Sequence, residues 1–226
     1  GSAALRRDAG RPGLPLLAVA VATAIATAAA PAGGQAIRGG LHRGELTDGP
    51  AEWTPRSGFR IGAALGFARF AAVAVVPEVH YVQTGARTPG AADVEDPITD
   101  IRLDYIEAPV LLRVGATVPG TPDLRVYAAA GPGVLWQTGC SFGFRDGGGR
   151  SSGCGGDGLR EIGLAPGLRE TDWALVGAAG FDGPVRGVGR VGGEVRYQHG
   201  LTRVAPDGSA FRPRNRGLSF LLTWTP

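Results

Sequence analysis

The residues best suited to chemistry are charged side chains that recur within otherwise apolar segments of this 226-residue chain. Two carboxylates on either side of a sugar can hydrolyse a glycosidic bond, one as the acid and the other as base or nucleophile. Carboxylates that meet arginines inside a protein form ion pairs instead, because burial of an isolated charge is costly. The residues in such positions are Arg60, Glu78, Glu107, Arg113, Arg125, Glu194 and Arg196.

Two cysteines, Cys140 and Cys154, are the next candidates. Their spacing is not that of a C-x-x-C redox motif, and a zinc site would need nearby histidines. In a protein exported to an oxidising compartment, an even number of cysteines indicates a disulfide. We therefore predict a structural bond between them, which stabilises the fold by about 3 kcal/mol.

The sequence lacks the usual motifs of a phosphate-binding loop or a metal site. Its histidines have no ligand spacing, so His80 is expected only to form hydrogen bonds inside the fold. An acidic segment could bind Ca²⁺, but its spacing is not that of an EF-hand, which favours a solvated loop. Its acids are Asp93, Glu95, Asp96 and Asp100. We predict no enzyme activity, no metal and no cofactor.

Period-two alternation places the charged residues on strands. Between residues 105 and 114, for example, Val110 and Leu112 lie on one face, whereas Glu107 and Arg113 lie on the other. About eight segments alternate in this way, each near the ten-residue length of a tilted membrane strand. They are Ile37–Leu46, Phe59–Phe67, Val73–Thr84, Tyr105–Val114, Leu124–Trp136, Trp173–Phe181, Val191–Thr202 and Leu218–Trp224, of which the first alternates poorly.

The N-terminal segment has the three parts of a secretory signal. Arginines at positions 6, 7 and 11 precede an apolar run at residues 14–30, and Gly34-Gln35-Ala36 offers small residues for cleavage. We place cleavage after Ala36, with Ala32 as the second choice. A permanent anchor is the alternative, although the run is short and rich in weakly apolar alanine. The predicted organisation is a signal peptide at residues 1–36 and a β-domain at residues 37–226.

The strands can cross a membrane only as a closed barrel, because lipid cannot satisfy the backbone groups of an open sheet edge. The connections alternate between long segments, such as 87–100 and 137–171, and short ones near 68–71 and 118–122. That alternation is typical of outer-membrane barrels. We predict an all-β, eight-stranded antiparallel up-and-down transmembrane β-barrel with its apolar faces outward. The seven charged residues would then form a polar network in the lumen.

Residues 77–85 (PEVHYVQTG) and 103–112 (LDYIEAPVLL) resemble the PorT-like outer-membrane β-barrel family, which has a P-E-hydrophobic-x-Y-x-Q-x-G strand followed by an L-x-Y-hydrophobic-E-x-P-hydrophobic-L-L strand. Further similar segments are 38–41 (RGGL), 129–132 (AAGP), 194–201 (EVRYQHGL) and 215–218 (NRGL). The resemblance covers most of residues 58–226 in the expected order. The resemblance implies a barrel in the outer membrane. The founding member of that family is tied to a secretion and gliding apparatus.

The expected function is that of a non-enzymatic outer-membrane protein, either structural or displaying loops at the surface. The alternatives are a porin-like conducting path, a component of a secretion or assembly machinery, and a soluble periplasmic barrel of lipocalin type. Expected partners are outer-membrane lipid and surface or secretion-machinery proteins, with the chain itself a monomer. Residues 37–226 carry 20 arginines against 19 acidic residues and no basic run, which excludes a nucleic-acid partner.

Overall fold

Strands occupy most of the chain that the computed structural model describes, which comprises residues 35–48, 53–64, 68–70, 73–88, 98–144, 168–205, 209 and 212–226. The predicted signal sequence lies almost entirely outside these residues and stays a prediction. The strands are β1 (Ala36–Thr47), β2 (Thr54–Ala64), β3 (Ala68–Phe70), β4 (Val73–Arg87), β5 (Ile98–Val118), β6 (Thr121–Phe144), β7 (Thr171–Val185), β8 (Gly189–Gly200) and β9 (Arg214–Thr225). Within the described ranges, no helix has the length and apolarity needed to cross a membrane.

The sheet is antiparallel throughout. Neighbouring strands pair in chain order from β4 to β9, β1 pairs with both β9 and β2, and β2 pairs with β4, so the sheet closes on itself. The short strand β3 continues the position of β2, since both pair with β4. The register runs from Ala64 opposite Glu78 in β2 to Ala68 opposite Val75 in β3. The strands therefore occupy eight positions around a closed barrel, which confirms the predicted fold.

Two expectations about strand ends are wrong. The tight link predicted near residues 68–71 is mostly strand, because β3 pairs with the start of β4. Strands β5 and β6 have 21 and 24 residues, because their pairing continues past the predicted ends to Ile98 opposite Phe144. As a consequence Cys140, predicted in a loop, lies on β6 opposite Leu103.

The two ends of the barrel differ in the length of their connections. At one end the two-residue turn Pro119-Gly120 joins β5 to β6, and residues 186–188 join β7 to β8. Gly120 has a φ of 81°, in the left-handed region that glycine adopts without steric cost. At the other end, residues 88–97 and 145–170 connect the strands. We call this second end the outer end, because outer-membrane barrels carry their longer loops outside the cell.

The outward face of the barrel is apolar. Val110, Leu112, Phe220 and Leu222 are 48%, 57%, 56% and 74% exposed, as predicted from alternation. Trp173, Phe181 and many other aliphatic or aromatic residues share that face. A surface of this kind suits hydrocarbon rather than water, because exposed apolar patches on soluble monomers are much smaller.

The interior is apolar near the outer end and charged towards the middle. The apolar cluster contains Leu46, Ala86, Ile101, Leu103, Tyr105, Leu135, Phe142, Ala174, Val204 and Ala205. Val204 and Ala205 belong to the connection between β8 and β9. The amide of Val204 donates to the Pro213 carbonyl at 2.9 Å, and its carbonyl accepts from the Arg169 amide at 2.7 Å. Val204 and Ala205 therefore pack against side chains that point into the lumen.

Candidate functional site

Charged side chains from five strands meet inside the barrel and form the lumen network. They lie there because strand alternation turns every second side chain inward, and each is 4% exposed or less. Its charged members are Arg38 on β1, Arg60 on β2, Glu78 on β4, Glu107 on β5, and Glu194 and Arg196 on β8; His80, Tyr127 and Gln198 contact them.

Arg60 is held by groups from two distant strands. One guanidinium nitrogen forms an ion pair with Glu107, and the other donates to Gln198 Oε1 at 2.5 Å. The side chains of Arg60 and Glu107 are both 0% exposed. A guanidinium sealed in this way is stable only with such partners, because removal from water costs several kcal/mol per ion.

Arg196 links β8 to β4. Its Nη2 donates to Glu78 Oε2 at 2.6 Å, and its Nε donates to Glu194 Oε1 at 2.8 Å. His80 Nε2 lies 2.9 Å from the same Glu78 oxygen and 3.0 Å from Arg196 Nη1. His80 thus forms hydrogen bonds in the lumen, as its sequence position suggested.

Arg38 completes the network and was missed from the sequence. It forms an ion pair with Glu78, and its Nε lies 3.4 Å from Glu194 Oε2. The Tyr127 hydroxyl donates to that same Glu194 oxygen at 2.8 Å. Arg38 and His42 are four residues apart and so lie on the same face of a strand, which could have indicated their inward direction. Two glycines between them have no side chain and obscure the alternation.

Three arginines and three glutamates are therefore brought together, and their formal charges cancel. Five of the seven sequence-predicted residues belong to this group: Arg60, Glu78, Glu107, Glu194 and Arg196. The arrangement can hold strands together and fill the lumen. The three glutamates of the network are 4% exposed or less, so their geometry does not resemble the open carboxylate pair of a glycosidase.

Arg113 faces inward but does not reach the glutamates. It pairs with Asp182 at 3.0 Å near the short-turn end, where Arg190 binds the same carboxylate. Its guanidinium also lies 3.6 Å from the centroid of the Tyr127 ring, a cation–π geometry. The prediction placed Arg113 in one network with the glutamates, but Arg113 stands six residues beyond Glu107 along β5 and pairs with Asp182 closer to that end.

Arg125 is exposed and also lies outside the lumen network. It pairs in register with Thr117 and Asp182 at the short-turn end, where solvent reaches the strand. We predicted that Arg125 faces the lumen because it lies two residues from Tyr127, on the same face of the strand, and Tyr127 is buried. Alternation indicates the face on which a residue lies but not its depth along the barrel.

A second polar group near the outer end was also missed. Asn215 Nδ2 donates to Asp172 Oδ2 at 2.8 Å and to the Tyr105 hydroxyl at 3.2 Å. The Thr202 hydroxyl donates to Asp172 and accepts from the Trp173 amide at 2.9 Å. These bonds fix the start of β7 against β9 and the residues that follow β8.

His42 Nδ1 and Ser219 Oγ lie 2.9 Å apart across β1 and β9. A serine beside a histidine is the pairing that activates a nucleophile. Both residues are only 1–2% exposed, however, and face the packed lumen. The pair is therefore placed to stabilise the strand contact rather than to meet a substrate.

The structure describes only some of the remaining candidate residues. Cys154, Asp93, Glu95 and Asp96 lie outside the described residues, so the disulfide and the acidic loop stay predictions. Asp100 accepts from Arg56 Nε at 2.8 Å, an ion pair between β5 and β2. In the described part of the chain, no three His, Cys, Asp or Glu side chains group as metal ligands.

Comparison with known proteins places this geometry in a family. The model of the outer membrane protein beta-barrel domain matches residues 36–205. No curated protein matches the chain in sequence.

Solved structures with a similar fold include Neisserial surface protein A, NspA, at 15% identity and a TM-score of 0.48, with 85% of this chain and 97% of that chain covered. Another is Ail, the attachment invasion locus protein of Yersinia pestis, at 11% identity and a TM-score of 0.38, with 86% and 98% covered. At these values the similarity says nothing about what this chain does. The family match spans most of the chain, and this protein belongs to the outer membrane protein beta-barrel domain family, as a β-barrel of the bacterial outer membrane.

Proposed function

We propose that this protein is a non-enzymatic barrel that fills its own lumen and displays its outer connections at the cell surface. The observation that carries the proposal is the lumen network, in which Arg60, Glu107 and Arg196 have side chains that are 0% exposed. An eight-stranded barrel is just wide enough for side chains to fill its interior. Because paired charges fill that space, the barrel serves as a scaffold and does not conduct solutes.

The longest connections of the barrel lie at the outer end. Residues 88–97 and 145–170 join strands at the outer end, whereas the opposite end has turns of two or three residues. Functional residues concentrate on loops held by a rigid frame. The extended hairpin of β5 and β6 carries the longer connection away from the apolar band. Surface display therefore fits the distribution of chain length better than transport does.

An epitope tag tests the display proposal. We insert the same short tag into the connection 88–97 or into the turn 186–188 and probe intact and permeabilised cells with antibody. We expect the first tag to be detected on intact cells and the second only after permeabilisation. Detection of the turn tag on intact cells, with the other tag hidden, would overturn the proposal.

Single-channel recording tests the filled lumen. The purified barrel in a planar bilayer is expected to give no stable conductance steps. A regular open channel in the wild-type protein would support the porin-like alternative instead.

Export and membership of a subgroup belong to the same proposal. We infer that residues 1–36 act as a cleaved signal, that Cys140 and Cys154 are bonded, and that the chain is a PorT-like member of its family. It acts as a monomer whose outward face contacts outer-membrane lipid. The strand motifs at residues 77–85 and 103–112 support the subgroup. A stable complex with secretion proteins after crosslinking in whole cells would favour the machinery alternative.

A further inference from the structure

Near the outer end, on the side formed by β2, β1, β9 and β8, the outward face changes from apolar to charged. Residues opposite one another in the register form rows across these strands. One row is apolar and contains Phe59, Leu41, Phe220 and Val195. The next row towards the outer end contains Ser57, Arg43, Leu218 and Tyr197, and the one after it contains Glu45, Arg216 and His199. Cationic residues thus follow directly on the apolar band.

Arg43, on β1, is the central cation of this surface. It is exposed, and it forms no ion pair or side-chain hydrogen bond with any residue that the structure describes. Its neighbours along the outward face of β1 are Leu41, which is 72% exposed, and Glu45, which pairs with Arg216 instead. At the edge of the apolar band an outward arginine is tolerated, and its guanidinium can bind an anion there.

Arg216 lies diagonally across from Arg43, at the Cα separation of about 7–8 Å expected for diagonal neighbours in antiparallel strands. Its Nε binds Glu45, Tyr197 also contacts its guanidinium, and the side chain remains 43% exposed. The exposed part of the guanidinium, which has five N–H donors in all, can therefore bind a further acceptor. His199 stands opposite Arg216 on β8, and its ring stacks near Tyr197 at a centroid distance of 6.5 Å.

Elsewhere on the outward face, Arg102 donates to Asp104 at 3.2 Å, so its positive charge is already compensated. Arg43 and Arg216 differ from it because they are diagonal neighbours directly above an apolar row.

We propose that Arg43 and Arg216, with His199 and Tyr197 beside them, bind a phosphate group of a lipid in the outer leaflet. We call these four residues the outer-rim patch. Guanidinium groups bind phosphate oxygens through parallel N–H bonds, and the apolar row beneath them accommodates the acyl chains of the same molecule. A free anion would use the arginines but gain nothing from Leu41 and Phe220.

Native mass spectrometry of the detergent-folded full chain tests this site. The probes are diphosphorylated lipid A, the same lipid after removal of both phosphates, and inorganic phosphate. The variants are Arg43→Gln, the double variant Arg43→Gln/Arg216→Gln, and Arg186→Gln in the turn at the opposite end as a matched control. Heat-dependent gel mobility verifies that each variant is folded, and Arg43→Gln removes no contact within the described structure.

We expect the phosphorylated lipid to bind the wild-type protein and the Arg186→Gln control equally. Binding should weaken about fivefold in Arg43→Gln and about 30-fold in the double variant, at about 1 kcal/mol per arginine near an anionic lipid surface. Equal binding to all variants, or equal binding of the dephosphorylated lipid, would overturn the proposal. Saturation by inorganic phosphate at the same concentration would overturn the assignment to lipid. The measurement does not depend on orientation in the cell, so its failure would leave surface display untouched.

Discussion

Each arginine of the lumen network depends on particular glutamates, so removal of one carboxylate leaves a buried cation without compensation. Glu107 is the only ion-pair partner of Arg60 among the described residues. Glu107→Ala is therefore expected to lower the free energy of unfolding by about 3–5 kcal/mol. The midpoint of guanidinium unfolding in detergent micelles measures the change.

A control and a rescue keep that prediction specific. Glu170→Ala, at an exposed position, should change the stability by no more than about 0.5 kcal/mol. Replacement of both partners, Arg60→Met with Glu107→Leu, should recover most of the loss, because apolar residues of similar volume tolerate burial. An unchanged midpoint in Glu107→Ala would show that water reaches Arg60.

Gly62 makes room for the network at a point where no side chain fits. It stands opposite His80, and an added Cβ would overlap both the His80 ring and the Val79 carbonyl. Gly62→Ala is expected to cost about 1–3 kcal/mol through overpacking. Gly177→Ala is the matched control, because its Cβ would meet no atom within 4 Å. Equal stability of the two variants in the same unfolding assay would contradict the packing.

Residue-scale prediction from the sequence worked where alternation was clean and failed where it was not. Glu78 and Glu194 alternate with valines on long strands, so their inward direction was predictable. Arg38 was missed because Gly39-Gly40 carries no facial signal. Arg125 was misplaced because parity gives no depth, and depth decides whether a charge near a strand end meets water or a partner.

At the scale of the strand, the outward face should tolerate charge only near its ends. Leu222 is 74% exposed and lies on β9 between two other apolar outward residues. Leu222→Arg is expected to cost about 2–4 kcal/mol in lipid if it lies near the middle of the bilayer. Val188→Arg, in the turn after β7, should cost about 1 kcal/mol or less.

Unfolding in phospholipid vesicles measures both variants. A similar, small effect of the two arginines would mean that Leu222 does not face hydrocarbon.

Strand positions were predictable from period-two alternation, but strand ends were not. The extensions of β5 and β6 beyond the apolar band depend on pairing with each other and on the inward cluster around Ile101 and Phe142. Those contacts join residues far apart in sequence, and the local pattern does not contain them. The same reason explains β3, whose three residues are strand only because β4 offers an edge.

At the scale of the whole molecule, the cysteines test export and the shape of the longest connection. We predict that Cys140, on β6, is bonded to Cys154 in the native protein. Mass spectrometry of freshly purified, unreduced protein should find neither thiol alkylated, and both alkylated after reduction. Alkylation of both without reduction would exclude the bond. A Cys140→Ser/Cys154→Ser variant should lose about 3 kcal/mol in the chain-entropy estimate.

The central claim is that the apolar face of the barrel contacts lipid while the charged face is enclosed. Spin labels at Phe220 and Leu222, with one at Val188 as reference, test it most directly in a Cys140→Ser/Cys154→Ser background reconstituted in vesicles. We predict that oxygen, which concentrates in lipid, relaxes the first two labels strongly and that a water-soluble nickel chelate relaxes only the third. Protection of Phe220 and Leu222 from both reagents, as in the core of a soluble protein, would contradict the account.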